Sequence, residues 1–117
     1  MKILIVDDSL FTRTIHRQTV ENEGHLVVEA GGGLEAVEIF KKEKPDLVVT
    51  DLLMPDMDGM DLIREILTVD PSARMVVCSA DRKIEHIREA GKIGALGFLS
   101  KPIAAEELNR LIEKLMD

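Results

Sequence analysis

The sequence has one cysteine, Cys78, and its aromatic residues are three phenylalanines, with no tryptophan or tyrosine. A single cysteine excludes an internal disulfide, so we expect Cys78 to be a small core residue in a reducing compartment. No apolar run approaches the ~20 residues that a membrane span needs. Asp7 and Asp8 interrupt the first apolar run too early for a signal peptide. We therefore expect a cytoplasmic protein with no membrane association.

Basic residues are also in the minority. There are 15 Lys and Arg residues against 22 Asp and Glu residues, for a formal net charge of −7 in 117 residues. A nucleic-acid backbone or an anionic membrane would require a face rich in Lys and Arg, so no nucleic acid is expected as a partner. The length is that of a single domain with one core. We assign residues 1–117 to one domain without an output domain, and we expect a monomer.

Five short apolar runs are each followed by a helical stretch. Such short runs predict strands, and apolar residues spaced three and four apart predict helices. Ser9 and Asp58 are candidate N-caps, and the glycine-broken fifth strand is expected at an edge of the sheet. The predicted strands cover residues 3–6, 26–28, 47–49, 75–78 and 96–99, and the predicted helices cover residues 10–22, 34–43, 58–68, 82–91 and 104–116.

Alternation of strand and helix predicts an α/β fold with a parallel sheet covered on both faces. We predict a doubly wound, five-stranded parallel sheet in the order 2-1-3-4-5. In such a sheet, ligands bind beyond the carboxyl ends of the strands, where the strand order reverses. Strands one and three meet at that point, so the residues that follow them are the candidates for function.

The predicted strand ends carry three acids, a hydroxyl group and an amine, at Asp7, Asp8, Asp51, Ser79 and Lys101. Two carboxylates roughly 5 Å apart repel each other by about 3 kcal/mol at an effective dielectric constant of about 20. A divalent cation would relieve this repulsion, and Mg²⁺ prefers oxygen ligands. With its charge neutralised by the ion and Lys101, Asp51 could attack a phosphoryl group as a nucleophile. Ser79 could instead act only as the N-cap of helix four.

These residues fall within four motifs that together resemble a receiver domain of two-component response regulators, of the stand-alone chemotaxis (CheY-like) type with a flavodoxin-like fold. The resemblance covers the whole chain. Its motifs are Ile5-Val6-Asp7-Asp8-Ser9, Asp51-Leu52-Leu53-Met54-Pro55-Asp56-Met57-Asp58-Gly59, Ser79-Ala80 and Phe98-Leu99-Ser100-Lys101-Pro102.

The resemblance implies a role for each motif residue. Asp51 would be the phosphorylation site, and Mg²⁺ would be held by Asp7, Asp8, Asp51 and the backbone carbonyl of Leu53. Ser79 and Lys101 would bind phosphoryl oxygens, with a cis peptide bond joining Lys101 to Pro102. Leu53 stands where chemotaxis members often have Asn. Since the ligand is a backbone carbonyl, this difference does not remove it.

The resemblance also implies a conformational switch. The phosphoryl group would draw the Ser79 hydroxyl inward, and Phe98 would turn into the space that it leaves. Phe98 replaces the more common Tyr. Helix four, strand five and helix five would then present a changed face to a downstream protein, with Glu106, Glu107 and Arg110 pointing outward from helix five.

The implied function is that of a signalling module, phosphorylated by a sensor histidine kinase and acting through protein contact, of chemotaxis type. Its alternative is a phosphorelay intermediate that passes the phosphoryl group to a histidine phosphotransfer protein. An aspartyl-phosphate phosphatase resembling the haloacid dehalogenases would need Asp-x-Asp and a cap domain. A flavodoxin-type electron carrier would need a hydroxyl-rich phosphate loop and an aromatic residue to stack on the flavin.

Two other features receive structural interpretations. Residues 31–33 are three glycines, but no Lys-Ser/Thr pair follows them and they lie away from the crossover point. We therefore predict a flexible loop and not a phosphate-binding loop. His16 lies on helix one near the functional edge of the sheet, and we expect it on an exposed helix face.

Overall fold

The computed structural model describes residues 1–80 and 83–116. These residues form five strands and five helices in strict alternation. The elements are β1 (Lys2–Val6), α1 (Leu10–Asn22), β2 (Leu26–Ala30), α2 (Gly33–Glu43), β3 (Leu47–Thr50), α3 (Gly59–Val69), β4 (Met75–Ser79), α4 (Ile84–Ile93), β5 (Gly97–Ser100) and α5 (Ala105–Met116).

The five strands form one parallel sheet in the order β2-β1-β3-β4-β5, which confirms the predicted fold. Val6, the last residue of β1, is in register with Ala30 on one side and Thr50 on the other. The carboxyl ends of β1, β2 and β3 are therefore level. As predicted, β5 is an edge strand, and it pairs with β4 alone among the described strands.

Each face of the sheet is covered by its own apolar layer. On one face, strand residues such as Leu4 and Val77 pack with side chains of α2, α3 and α4. On the other face, Ile5 and Cys78 pack with Val20 of α1 and with α5. Strands covered on both sides are apolar at consecutive positions, as β1 is. Cys78 is buried, as expected, and burial raises the pKa of its thiol to about 12.

The helix ends follow local sequence signals. The Ser9 side chain accepts a hydrogen bond from Thr12 N at 3.2 Å, and the Asp58 side chain accepts one from Met60 N at 2.7 Å, so both predicted N-caps are confirmed. Helix α4 differs from the prediction. Its predicted start at residue 82 lies outside the described residues, and it continues through Gly91 to Ile93. It ends there because Gly94, at φ 119°, takes the left-handed conformation that closes a helix.

The predicted loop at residues 31–33 is shorter than expected, because Gly33 is already the first residue of α2. Both oxygens of Asp56 accept hydrogen bonds from the start of α2, one from Gly33 N and one from Leu34 N, each at 3.1 Å. A Cβ on Gly32 would lie 2.8 Å from the same carboxylate. The glycines therefore let the loop after β3 pack closely against the first turn of α2. Separately, none of the helices in the described ranges is long and apolar enough to cross a membrane.

Candidate functional site

The three predicted acids lie together at the carboxyl ends of β1 and β3. Asp7, Asp8 and Asp51 each offer a carboxylate oxygen, and these oxygens lie within 4.8 Å of one another. Asp7 is 2% exposed and Asp51 is 8% exposed, whereas Asp8 faces solvent. We call this group, together with Lys101, the acid pocket. All-oxygen ligands at this spacing fit a hard divalent cation such as Mg²⁺.

Lys101 joins the two buried acids from the end of β5. Its Nζ lies 2.6 Å from Asp7 Oδ2 and 2.6 Å from Asp51 Oδ2. Burial alone would lower the pKa of Lys101, but the hydrogen bonds and negative charges of Asp51 and Asp7 raise it above its usual value. Lys101 is therefore a permanent positive charge at the pocket, and it offsets part of the repulsion between the carboxylates.

Asp51 is held at both carboxylate oxygens and at its backbone. Its Oδ1 accepts hydrogen bonds from Leu52 N at 2.7 Å and Leu53 N at 3.4 Å, while Oδ2 accepts one from Lys101 Nζ at 2.6 Å. Its own N–H donates to Val6 O at 3.0 Å, which ties the end of β3 to β1. A Cβ on Gly59 would overlap the Asp51 carbonyl oxygen, so only glycine lets α3 begin this close to it.

Asp7 is fixed in the same manner. Its Oδ1 accepts a hydrogen bond from Ser9 N at 2.9 Å. Its carbonyl oxygen accepts one from the Arg13 guanidinium at 2.6 Å. Arg13 also pairs with Glu29 of β2 at 3.1 Å, so the guanidinium links the pocket to the neighbouring strand. Preorganised carboxylates of this kind lose little conformational freedom when they bind a cation or react.

The remaining predicted site residues lie around the pocket. Ser79 is the buried last residue of β4, and it is in register with Ser100, the residue before Lys101. Thr50, the last residue of β3, is in register with Val77 of β4. Ser79 therefore lies two residues beyond the level at which β3 ends. The Leu53 side chain is 75% exposed at the mouth of the pocket. Phe98 is half-buried in β5 and packs on the apolar layer that α3 and α4 share.

Residues 3–113 match the family model of the response regulator receiver domain. The chain belongs to this family. Among curated proteins it is similar to the chemotaxis protein CheY of Thermotoga maritima, with 42% identity over 97% of this chain and 93% of that protein. It is also similar to the sporulation initiation phosphotransferase F of Bacillus subtilis, with 33% identity over 98% of this chain and 93% of that one.

A solved structure gives the same result. The crystal structure of the CheX-CheY-BeF3-Mg+2 complex from Borrelia burgdorferi superimposes with a TM-score of 0.93 and 31% identity, over 100% of this chain and 90% of that one. The receiver domain is a signalling domain of two-component systems and not a classical enzyme. The comparisons thus favour the family resemblance of the motifs over the phosphatase and electron-carrier alternatives.

Two details of the receiver differ from the sequence predictions, and one alternative is excluded. Ser79 does not cap α4, whose N-cap is Lys83. Glu107 does not point outward from α5, because its carboxylate accepts a hydrogen bond from Ser100 N at 2.8 Å. His16 is not exposed. It is 2% exposed and its Nε2 accepts a hydrogen bond from Ile103 N at 3.2 Å.

Sequence reasoning missed these contacts because each joins a helix side chain to a backbone amide outside that helix, which helical periodicity does not indicate. Glu107 binds a backbone amide at the end of the strand before its helix. His16 binds a backbone amide 87 positions away. One local signal was present for His16, which lies one helical turn before the apolar Val20 and so on the same helix face. The peptide bond between Lys101 and Pro102 is cis, as the family resemblance implied.

Proposed function

We propose that this receiver accepts a phosphoryl group on Asp51 and signals the phosphorylated state through protein contact. The observation that carries the proposal is the position of Lys101, whose ammonium group lies 2.6 Å from carboxylate oxygens of both Asp7 and Asp51. A lysine among clustered carboxylates at the ends of three strands fits a site that receives a transferred, negatively charged group. Simple helix capping would not require it.

Mg²⁺ is the cofactor that the donor set fits. Receiver domains bind Mg²⁺ at an acidic pocket, and here Asp7, Asp8, Asp51 and the Leu53 carbonyl would hold it. When bound, the ion supplies positive charge that offsets the charge of the incoming phosphoryl oxygens. The exposure of Asp8 keeps one side of the pocket open to solvent, which suits an ion that retains several water ligands.

The transfer itself is a displacement at phosphorus. A carboxylate oxygen of Asp51 forms the new P–O bond while the P–N bond to the donor's phosphohistidine breaks, and the released imidazole nitrogen takes a proton. The backbone N–H groups of Leu52 and Leu53 hold the acceptor carboxylate in place. Lys101 is already within hydrogen-bond distance of Asp51, so it can shift from the carboxylate to a phosphoryl oxygen over a short path.

The proposed switch follows from the residues next to the pocket. Phosphoryl oxygens would draw the Ser79 hydroxyl inward, and Phe98 would turn toward the vacated space. A groove beside Phe98, lined by Ile87, Ala90 and Leu96, supports a rearrangement in this region because it lies between α4 and β5. The face formed by α4, β5 and α5 would then bind a downstream protein.

We infer that the donor is a sensor histidine kinase and that the output is of chemotaxis type, because the similar proteins include CheY of Thermotoga maritima. The Borrelia CheY in complex with CheX is a precedent for a receiver of this fold bound to a protein partner. We further propose that residues 1–117 act as one cytoplasmic, monomeric receiver, without nucleic acid or membrane as a partner.

The test is phosphorylation by acetyl phosphate with Mg²⁺, read as a mass increase of the intact protein. Asp51→Asn is expected to abolish the increase because it removes the nucleophilic oxygen. Asp61→Asn is the matched control, since Asp61 is an exposed acid on α3 that pairs with Arg64 at 2.9 Å. Incorporation that persists in Asp51→Asn would refute the assignment.

A phosphorelay intermediate is the second candidate, and the similarity to sporulation initiation phosphotransferase F supports it. Such an intermediate returns its phosphoryl group to a histidine. Incubation of the phosphorylated chain with a histidine phosphotransfer protein from the same genome separates the two functions. Rapid loss of label from Asp51 to that protein favours the relay, and binding without transfer favours the chemotaxis-type output.

A further inference from the structure

His16 is a polar side chain in the apolar layer between the sheet and helices α1 and α5. It is 2% exposed, and its ring nitrogen Nε2 accepts the backbone N–H of Ile103 at 3.2 Å. Ile103 is itself 4% exposed. A buried amide that loses its acceptor leaves a desolvated donor without compensation. The contact is therefore specific: an apolar side chain at position 16 would fill the space but not bind the amide.

The ring must be neutral for this contact, with its proton on Nδ1, because Nε2 can accept a hydrogen bond only when it is unprotonated. The surroundings favour that form. Burial lowers the pKa of His16, and the positive charge of Lys101 acts in the same direction, against the opposing effect of Asp7 and Asp51. His16 thus acts as a fixed hydrogen-bond acceptor at neutral pH.

The amide that His16 binds belongs to the segment that carries Lys101. This segment connects Ser100, the end of β5, to Ala105, the start of α5. Two side chains from outside the segment hold its backbone, Glu107 at Ser100 N and His16 at Ile103 N. Lys101 lies between these two anchored amides. A displacement of the backbone there would carry over to the Nζ atom that contacts both acids of the pocket.

The same helix holds the other side of the pocket. Arg13, three residues before His16 and so on the same face of α1, donates to the Asp7 carbonyl oxygen at 2.6 Å. Arg13 therefore binds the backbone at Asp7, and His16 binds the backbone two residues after Lys101. Helix α1 is thus hydrogen-bonded both to the segment that follows β1 and to the segment that follows β5.

We propose that His16 is a positioning residue for phosphoryl transfer to Asp51, acting by binding the Ile103 amide and so fixing the backbone that presents the Lys101 ammonium group. The proposal rests on the proposed function and adds a residue outside the acid pocket to it. His16 does not contact the phosphoryl group. Its effect on the reaction passes through Lys101 alone.

Three variants separate positioning from stability. His16→Leu fills the site without an acceptor, and His16→Gln restores an acceptor oxygen near the position of Nε2. Val20→Ala is the matched control, because Val20 is fully buried one turn further along α1 and its truncation loosens the same apolar layer while the hydrogen bond from Ile103 N to His16 remains. The rate of phosphorylation by acetyl phosphate and the dissociation constant for Mg²⁺ are measured well below each variant's unfolding temperature.

We expect His16→Leu to slow phosphorylation by about five- to tenfold, with Mg²⁺ affinity unchanged because the carboxylates remain. His16→Gln should recover most of the rate, and Val20→Ala should react like the wild type. A wild-type rate in His16→Leu, or an equal slowing in Val20→Ala, would overturn the proposal. If acetyl phosphate phosphorylates Asp51→Asn to the same extent as the wild type, the proposed function is refuted instead.

A spectroscopic measurement tests the contact without relying on activity. In protein labelled with ¹⁵N, a hydrogen bond from an amide to an imidazole nitrogen gives a scalar coupling between the two nitrogens. We expect this coupling between the Ile103 amide and His16 Nε2, and a ring ¹⁵N spectrum of the tautomer protonated at Nδ1. A ring protonated at Nε2 at neutral pH would contradict the proposed acceptor role.

Discussion

Helices α3 and α4 lie on the same face of the sheet, but they are held there differently. Helix α3 has five buried residues, Gly59, Met60, Leu62, Ile63 and Ile66, and its N-terminus is capped by the Asp58 carboxylate. Helix α4, as described, has one buried residue, Ala90. Its N-cap residue is Lys83, whose ammonium group cannot accept a hydrogen bond from a backbone N–H.

This difference separates the site that would receive the phosphoryl group from the face that would report it. The acid pocket lies at the ends of buried strands, with Asp51 and Asp7 held by backbone amides and by Lys101. The α4 and β5 region has fewer buried apolar side chains, which is typical of segments that open or shift at low free-energy cost. Phosphorylation could therefore change the exposed face if the two conformations of this region differ only slightly in free energy.

The largest expected effect tests this contrast directly. Ile63→Ala in α3 should lower the free energy of unfolding by about 3–4 kcal/mol, because Ile63 is fully buried and its loss leaves a cavity. Ile87→Ala in α4 removes the same atoms from a half-buried position and should cost about 1 kcal/mol. Urea unfolding of both variants measures the difference, and equal losses would remove the distinction between the two helices.

Binding of Mg²⁺ should increase the difference in stability between the acid pocket and the α4 and β5 region, because all of its expected ligands lie at the ends of β1 and β3. At a free concentration about tenfold above its dissociation constant, Mg²⁺ should stabilise the protein by about 1.4 kcal/mol. Asp8→Ala should largely remove this gain, and Asp61→Ala should retain it. Thermal unfolding with and without Mg²⁺ tests the expectation, and an undiminished gain in Asp8→Ala would exclude Asp8 as a ligand.

The smallest effect concerns the ion pairs that support the pocket from β2. Hydrogen bonds from Arg17 and then Arg13 lower the pKa of Glu29 from its ordinary value of 4.5. A carboxylate whose pKa is lower in the folded state stabilises that state at pH values above its pKa in the unfolded chain. This stabilisation disappears as the pH falls through the pKa of the folded state. Glu29→Gln should therefore cost about 0.5–1 kcal/mol at pH 7.

The pH dependence is the control for that prediction. The difference in the free energy of unfolding between Glu29→Gln and wild type should stay constant from pH 7 down to about 4.5, the ordinary pKa of the carboxyl group. It should then shrink as the pH falls further. Urea unfolding at several pH values measures it. A difference that is unchanged at the lowest pH would show that the ion pairs are not its source.

Much of the fold was predictable because its signals are local. Continuous apolar runs gave the strands, and the caps at Ser9 and Asp58 gave the starts of two helices. The acid pocket was predictable for a related reason: parallel strands bring their carboxyl ends to one edge, so Asp7, Asp8 and Asp51, which follow the adjacent strands β1 and β3, were expected to be neighbours. Lys101 follows β5, two strands from β3, so the strand order placed it on the same edge but did not fix its contact with Asp51.

Helix α1 shows where this reasoning ends. Its Phe11 is 76% exposed while its His16 is 2% exposed, the reverse of what hydropathy predicts. His16 is buried because a distant backbone amide needs an acceptor there, and no pattern within the helix encodes that need. The end of the loop at residues 31–33 was misplaced similarly, since the Asp56 carboxylate that accepts a hydrogen bond from Gly33 N comes from another part of the chain.

The acid pocket also has a definite charge balance. Three carboxylates and one ammonium group give it a formal charge of −2. A divalent ion would bring this to neutrality, whereas a monovalent ion would leave the pocket negative and repel a phosphate donor. With one lysine the formal charge of the pocket equals and opposes that of a divalent ion, and a second lysine or a fourth acid would remove this equality.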